Sequence, residues 1–294
     1  MSKHRVACVG EAMIELNIDN PGRQIGFAGD TLNTAIYLAR SAGDAAEVEF
    51  VSRIGRDAMS DRIAQFIRSE GVGTSQLVRH PDRLPGVYAI AVDAQGERSF
   101  SYWRNQSAAR TLFEDGFAQL DGFDTIYLSG ITLAILPPEV RRSLLAHLAA
   151  HPAQIVFDSN YRPRLWESPE VARATTEAAW RVADIGLPSI DDEMALFGDT
   201  DEAAALTRLR SYGLARGALK RGAKGPRPLN PTVSTTHPYP GAPAVVDTTA
   251  AGDSFNGAYL AALITGKTEE AALRAGHDMA IRVIGQPGAI IPLG

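Results

Sequence analysis

The chain has 294 residues, 45% of them hydrophobic and 21% charged, with a formal net charge of -5. That length allows one large α/β domain or two modest ones and is enough to bury a substantial core. The acidic balance argues against nucleic acid or an anionic membrane as main partner, and no apolar run is long enough to span a bilayer. The single cysteine, Cys8, lies in an apolar run and cannot form an internal disulfide, which fits a reducing cytoplasm. Residues 1–4 lead straight into a strand, so no secretory signal is expected.

Residues 5–10 (Arg-Val-Ala-Cys-Val-Gly) read as a buried strand that residues 11–16 carry out of the core. Leu32, Ala35, Ile36 and Ala39 have helical spacing, so Gly29-Asp30 opens a helix. Taken alone, that pair serves as a helix cap as readily as a ligand site. Residues 48–54 form a second strand ending at Gly55, with Arg56 and Asp57 as turn and cap. Ile63, Phe66 and Ile67 mark the next helix. Residues 86–104 read as a β-hairpin turning at 93–96, of the kind that acts as a lid and excludes water.

Residues 124–130 and 154–158 are further strands, with a helix marked by Leu144, Leu145 and Leu148 between them. This alternation predicts a mostly parallel sheet flanked by helices, with right-handed crossovers. Ligands in such folds sit beyond the C-terminal strand ends, where Asp158, Asn160 and Arg162 fall. Residues 183–188 leave the sheet, and 189–193 open an acidic helix start. Residues 217–225 form a strand and glycine-rich turn, and 226–243 are irregular. A last helix covers 269–284, with Ala272, Ala275, Met279 and Val283 on one face.

The organising stretch is 247–255, Asp-Thr-Thr-Ala-Ala-Gly-Asp-Ser-Phe. Ala244-Val245-Val246 before it reads as a short buried strand. Phe255, Ala258, Tyr259, Ala262 and Leu263 after it give a helix with one apolar face. Small residues at a strand-to-helix junction leave backbone N–H groups free for an anion such as phosphate. Asp253 falls in the first turn, where a carboxylate also complements the helix dipole.

This block resembles the signature of the ribokinase-like (PfkB) sugar kinases, roughly Asp-Thr-x-Gly-Ala-Gly-Asp-x-Phe. The resemblance implies a three-layer ribokinase-like sandwich over residues 1–294 as one domain, with a β lid from about 11–28 and 86–104. It implies an anion hole from Ala250, Ala251 and Gly252, and Asp253 as the base for the attacking sugar hydroxyl. Ala250 replaces the usual first glycine, which suits a donor there if φ is negative. Ala28-Gly29-Asp30 through Asn33 resembles the family's Gly-Gly-x-x-x-Asn, implying sugar contacts from Gly29, Asp30 and Asn33. The Asp-x-Asn-x-Arg run implies Asn160 and Arg162 near the nucleotide phosphates, with Arg162 stabilising the transferring phosphoryl group. Lys220, Gly222 and Gly225 match a Lys-x-Gly-x-x-Gly segment that borders ATP.

The Ala-Ala-Gly-Asp version resembles one branch, the 2-keto-3-deoxygluconate kinases, where residues matching Tyr88, Tyr102 and Arg104 contact the substrate. Arg104 offers a planar fork for a carboxylate, and equally a surface ion pair. The family's Asn-x-x-Glu, linked to Mg²⁺ through water, lacks its Asn here, leaving open whether Asp192 or Glu193 takes the acidic place. The resemblance thus implies MgATP-dependent phosphorylation of a small sugar acid by a cytoplasmic homodimer. A ribokinase or fructokinase acting on a neutral sugar, and a sugar-binding regulator without chemistry, are the alternatives. No Walker A motif and no His-Arg-Asp loop is present, which argues against those kinase classes.

Overall fold

Strand β1 (His4–Val9) explains the architecture, because its side chains alternate between two apolar cores. Val6 and Cys8 enter one core and Ala7 and Val9 the other. A strand buried on both faces reads as a continuous apolar run, as residues 5–10 do. The computed structural model describes residues 3–18, 25–92, 98–235 and 238–292.

After β1 come β2 (Met13–Asn17), β3 (Ile25–Ala28), α1 (Asp30–Ala42), β4 (Ala46–Ile54), α2 (Ala58–Ser69), β5 (Leu77–Arg79), β6 (Val87–Val92) and β7 (Arg98–Trp103). The second half runs β8 (Thr125–Ser129), α3 (Gly130–Ile135), α4 (Pro138–Ala149), β9 (Gln154–Asp158), α5 (Pro169–Val182), β10 (Ile185–Gly186), α6 (Ile190–Phe197) and α7 (Glu202–Ser211). It closes with β11 (Ala218–Leu219), β12 (Arg227–Pro228), α8 (Ala251–Ile264) and α9 (Glu269–Ile284). Asp57 caps α2 by accepting from the N–H groups of Met59 and Ser60, the structural role its position suggested.

Six strands form a parallel sheet in the order β10-β9-β8-β1-β4-β5. Helices α1, α2, α8 and α9 cover one face; α3, α4, α5, α6 and α7 cover the other. The three-layer α/β sandwich is therefore the observed fold. The chain leaves β1 toward β4 and later returns to its other side at β8, so a crevice opens above the C-terminal ends of these strands. Cys8 is fully buried, which pushes its thiol well up and keeps it unreactive.

A second sheet, β3-β2-β6-β7, projects from this body. Its strands fall within 11–28 and 86–104; the hairpin turn at 93–96 lies outside the described residues. Ile14, Leu16, Phe27 and Val87 pack toward the main core, with Phe27 against Phe66 of α2 at 5.5 Å between centroids. Met13, Tyr88 and Ile90 face the other way, onto Ala289 and Ala250.

Two local readings are corrected. Residues 244–246 form no strand: Val245 and Val246 are 63% and 56% exposed, and the segment is held by Val246 and Asp247 N–H donating to Ile284 O. Helix α8 is not amphipathic, because residues 254–262 are buried all round between α1 and α9. Its contact with α1 is close enough to require Gly257. A Cβ there would lie 2.7 Å from both Thr34 O and Leu38 N. Gly257→Ala gains about 1 kcal/mol of helix propensity but costs about 1–3 kcal/mol in overlap. Both neighbours are backbone atoms that cannot rotate aside, so a lowered urea midpoint is expected; an unchanged midpoint would show that α1 and α8 separate freely.

Candidate active site

The loop before α8 is anchored by Asp247. Its Oδ1 accepts from Thr249 N (3.0 Å) and Oγ1 (2.7 Å), and its Oδ2 accepts from Gly288 N (2.7 Å). Ala250 then adopts φ 59°, ψ 16°, the left-handed region rather than the negative φ expected for a non-glycine. The positive φ turns the chain sharply into the helix, which is the geometry that favours glycine at this place. Ala251 N–H is used on Thr248 O at 3.3 Å. The N–H groups of Gly252 and Asp253 make no hydrogen bond among the described residues, so they, more than Ala251, present donors at the helix start.

Asp253 Oδ2 accepts from Asn33 Nδ2 (2.9 Å), and its backbone O accepts from Thr34 Oγ1 (3.3 Å). Protein encloses the carboxyl, leaving a partial opening to the crevice. Burial, then the Asp30 charge, push it up to about 8, against the hydrogen bond from Asn33 and the charge of Lys220. Asp30 Oδ2 accepts from Ser129 Oγ (2.5 Å) and Asn160 Nδ2 (2.8 Å). Gly29 lets α1 start so close to the β1–β2 loop, since a Cβ there would collide with the carbonyl of Glu11. Gly29, Asp30, Asn33 and Asp253 thus share one end of the crevice.

On the other side, Lys220 Nζ donates to Asp158 Oδ2 (2.9 Å) and Asn256 Oδ1 (3.2 Å). A Cβ on Gly252 would lie 3.5 Å from that ammonium. Asn160, at φ 30°, turns its side chain to Asp30 instead of toward Lys220. Arg162 donates to Tyr161 O (2.8 Å) and stands 3.6 Å from Asp192 Oδ1, with half its side chain exposed. Burial raises Asp192 against the pull of Arg162. Glu193 points away: it is 0% exposed and pairs with Arg208 at 2.9 Å, and burial pushes it up to about 7. Of the two acidic candidates only Asp192 faces the site; Glu193 belongs to a structural ion pair and is dropped as a ligand. Gly222 and Gly225 bound the turn after Lys220, with Gly225 against Tyr239.

In the second sheet, Tyr88 and Tyr102 stack with centroids 5.9 Å apart. The Tyr88 hydroxyl donates to Glu15, while Tyr102 is more than half exposed. Arg104 is not a surface residue. It is 5% exposed and ion-paired with the buried Glu11, leaving Arg104 Nε and Glu11 Oε1 without hydrogen-bond partners among the described residues. Arg110 lies within electrostatic range of Arg104, Arg83, Glu11 and Glu167, and Arg141 pairs with Glu167 at 2.9 Å. Cations outnumber carboxylates in this cluster. Glu11, Asn256, Tyr127 and Ser129 were not singled out from the sequence; a polar Asn256 inside the apolar run of α8 was the one signal available.

An enclosed carboxylate beside unpaired helix-start amides, with a lysine and an arginine opposite, is a set of groups that can take up a proton and hold an anion. The chain matches the pfkB family carbohydrate kinase model over residues 3–293, and it belongs to that family of kinases. The curated 2-dehydro-3-deoxygluconokinase of Dickeya dadantii (strain 3937) is 41% identical over 310 residues, spanning 100% of this chain and 98% of that protein. The solved 2-dehydro-3-deoxygluconokinase from Thermotoga maritima superposes with TM-score 0.85 at 21% identity, covering 99% of this chain and 96% of that one. Fructokinase from Vibrio cholerae O395, in a form bound to fructose, ADP and calcium, gives TM-score 0.83 at 23% identity, covering 97% and 94%.

Two outcomes follow for the loop. Holding alanine in the left-handed region costs about 1–2 kcal/mol, whereas glycine adds only about 0.4–1 kcal/mol of unfolded-state entropy. Ala250→Gly is therefore expected to raise the urea midpoint slightly; a fall would mean the loop is not strained. Asp253 has a folded pKa above its unfolded one, so the stability tied to its neutral form is complete below about pH 4 and is lost as pH rises through about 8. Asp253→Asn should melt higher than wild type at pH 8, with the gap closing toward pH 4. A gap independent of pH would contradict the raised carboxyl.

Proposed function

We propose that this chain is an ATP-dependent kinase of 2-dehydro-3-deoxy-D-gluconate (2-keto-3-deoxygluconate), forming the 6-phosphate. The observation that carries the reading is Asp253 enclosed beside the N–H groups of Gly252 and Asp253 itself at the start of α8. The relatives named 2-dehydro-3-deoxygluconokinase at about two-fifths identity over the full chain support the substrate. So does the surplus of arginine around Arg104 and Arg110, which suits an anionic sugar better than a neutral one.

Asp253 takes the proton of the terminal hydroxyl as its oxygen attacks the γ-phosphorus of ATP in line. The new O–P bond forms, the bridging P–O bond to the β-phosphate breaks, and ADP leaves. The N–H groups of Gly252 and Asp253, with Lys220 and Arg162, offset the charge that develops on the phosphoryl oxygens. Gly29, Asp30 and Asn33 hold the sugar hydroxyls, and Tyr88, Tyr102 and Arg104 hold its carboxylate end. Asn160, Gly222 and Gly225 border the nucleotide. A Mg²⁺ ion would arrive with the nucleotide. Asp192 is the carboxylate that would hold it, through water, and the ion would neutralise phosphate charge. The second sheet acts as the lid. ATP as co-substrate assigns the reaction to the cytoplasm, and exposed Ile18, Ile25 and Trp103 on the lid suit a homodimer.

Asp253→Asn should keep ATP binding and lose roughly 10²–10⁴-fold in kcat, and the wild-type kcat/KM should fall tenfold per pH unit below about 8. Near-normal turnover by this variant would remove Asp253 from the role. A neutral-sugar kinase stays as second reading, because Glu11 already neutralises Arg104. Arg104→Ala would strand the Glu11 carboxylate, a loss of about 3–5 kcal/mol in stability that obscures kinetics. Arg104→Lys keeps the cation and loses the fork. A KM for the keto-acid raised roughly tenfold or more, about 1.4 kcal/mol, favours the sugar acid; an unchanged KM favours the neutral sugar.

A further inference from the structure

We infer that Asn256, one turn after Asp253 on α8, is a positioning residue for phosphoryl transfer that acts through Lys220. The inference rests on the kinase reading above and adds a residue to it.

The Asn256 side chain is fully buried at the meeting of four elements. Its Oδ1 accepts from Lys220 Nζ at 3.2 Å. Its Nδ2 donates to Asp158 Oδ2 at 2.6 Å and to the Tyr127 hydroxyl at 3.0 Å. The partners fix which way the amide lies. Reversed, its NH₂ would face an ammonium and its oxygen a carboxylate, and both contacts would repel. Asn256 is therefore a rigid acceptor for Lys220, not a filler.

Lys220 needs such an acceptor. Its ammonium hangs over the first turn of α8, close to Gly252, where the helix dipole opposes a cation. Asp158 alone would draw the ammonium down toward the end of β9. Asn256 supplies the second point, so two of the three ammonium N–H groups are committed and the third has no protein acceptor among the described residues. Two positive fields, the ammonium and the helix start, then converge on one place. That arrangement is unfavourable until an anion arrives, and the phosphoryl group in transfer is the anion the site would receive. The same network reaches the base. Thr34 Oγ1 lies 3.2 Å from the Tyr127 hydroxyl and 3.3 Å from the Asp253 carbonyl, and its single proton serves these two acceptors in turn, so cation and base are registered through one set of contacts.

The test is a double-mutant cycle in the full-length enzyme with Asn256→Leu and Lys220→Met, read as ADP release at saturating sugar acid. Asn256→Leu is expected to lower kcat roughly 10–100-fold with the sugar-acid KM within about twofold, a loss of transition-state stabilisation only. In the Lys220→Met background the same change should cost less than about threefold, because its route is already gone. A structural role would instead give additive losses, and additivity, or an Asn256→Leu kcat within about threefold of wild type, overturns the inference. Should the leucine variant fail to fold, Asn256→Ala enters the same cycle with the same criteria. The wild type is the separate check on substrate. If it turns over fructose and not the keto-acid, the substrate reading fails, and the cycle run on fructose still decides the role of Asn256.

Discussion

The close approach of α8 to α1 is the contact on which the site depends. Helix α1 brings Asn33 to the Asp253 carboxyl and Thr34 to its carbonyl, while Gly257 removes the side chain that would hold the helices apart. Both helices press on the same face of the parallel sheet through Leu32, Ile36, Tyr259 and Leu260. A functional carboxylate at a helix start is usually solvated. Here the packing that builds the core also encloses it, and enclosure gives a carboxyl with the basicity of a general base near neutral pH.

Enclosure has an electrostatic cost that the surrounding groups distribute. Asp30, Asp158 and Asp253 all gather at the C-terminal edge of the sheet, and each has a donor: Ser129 and Asn160 for Asp30, Lys220 and Asn256 for Asp158, Asn33 for Asp253. These donors offset the mutual repulsion of the carboxylates without removing it. The strained backbone at Ala250 and Asn160 flanks the same crevice on its two sides. Strain and unfavourable charge thus concentrate in one crevice, and the apolar cores on either face of the sheet hold the arrangement in place.

The second sheet adds a different kind of constraint. Arg104 is committed to Glu11 deep in the base of this sheet, with the charges of Arg110 and Arg83 near it. Stacked Tyr88 and Tyr102 form the wall beside it, one hydroxyl held by Glu15 and the other ring open to solvent.

The alternation of apolar runs and helical spacing was enough for the three-layer parallel sandwich, because burying a strand on both faces demands a continuous apolar stretch such as residues 5–10. The Gly-Asp pairs at 29–30 and 252–253 also marked helix starts correctly, since backbone and short side chains make that signal locally. What lay beyond local reach was direction and depth. Asp192 and Glu193 are neighbours about 100° apart around a helix, and only the packing of α6 on α7 sends one to the site and the other to Arg208. Val245 and Val246 look like a buried strand, yet they pair with no strand among the described residues. The sign of φ at Ala250, the burial of Arg104 against Glu11 and the place of Asn256 beneath Lys220 all arise from segments far apart in the chain meeting in space. Residue types and spacing determine which chemistry is available; the distances between remote elements decide which groups perform it.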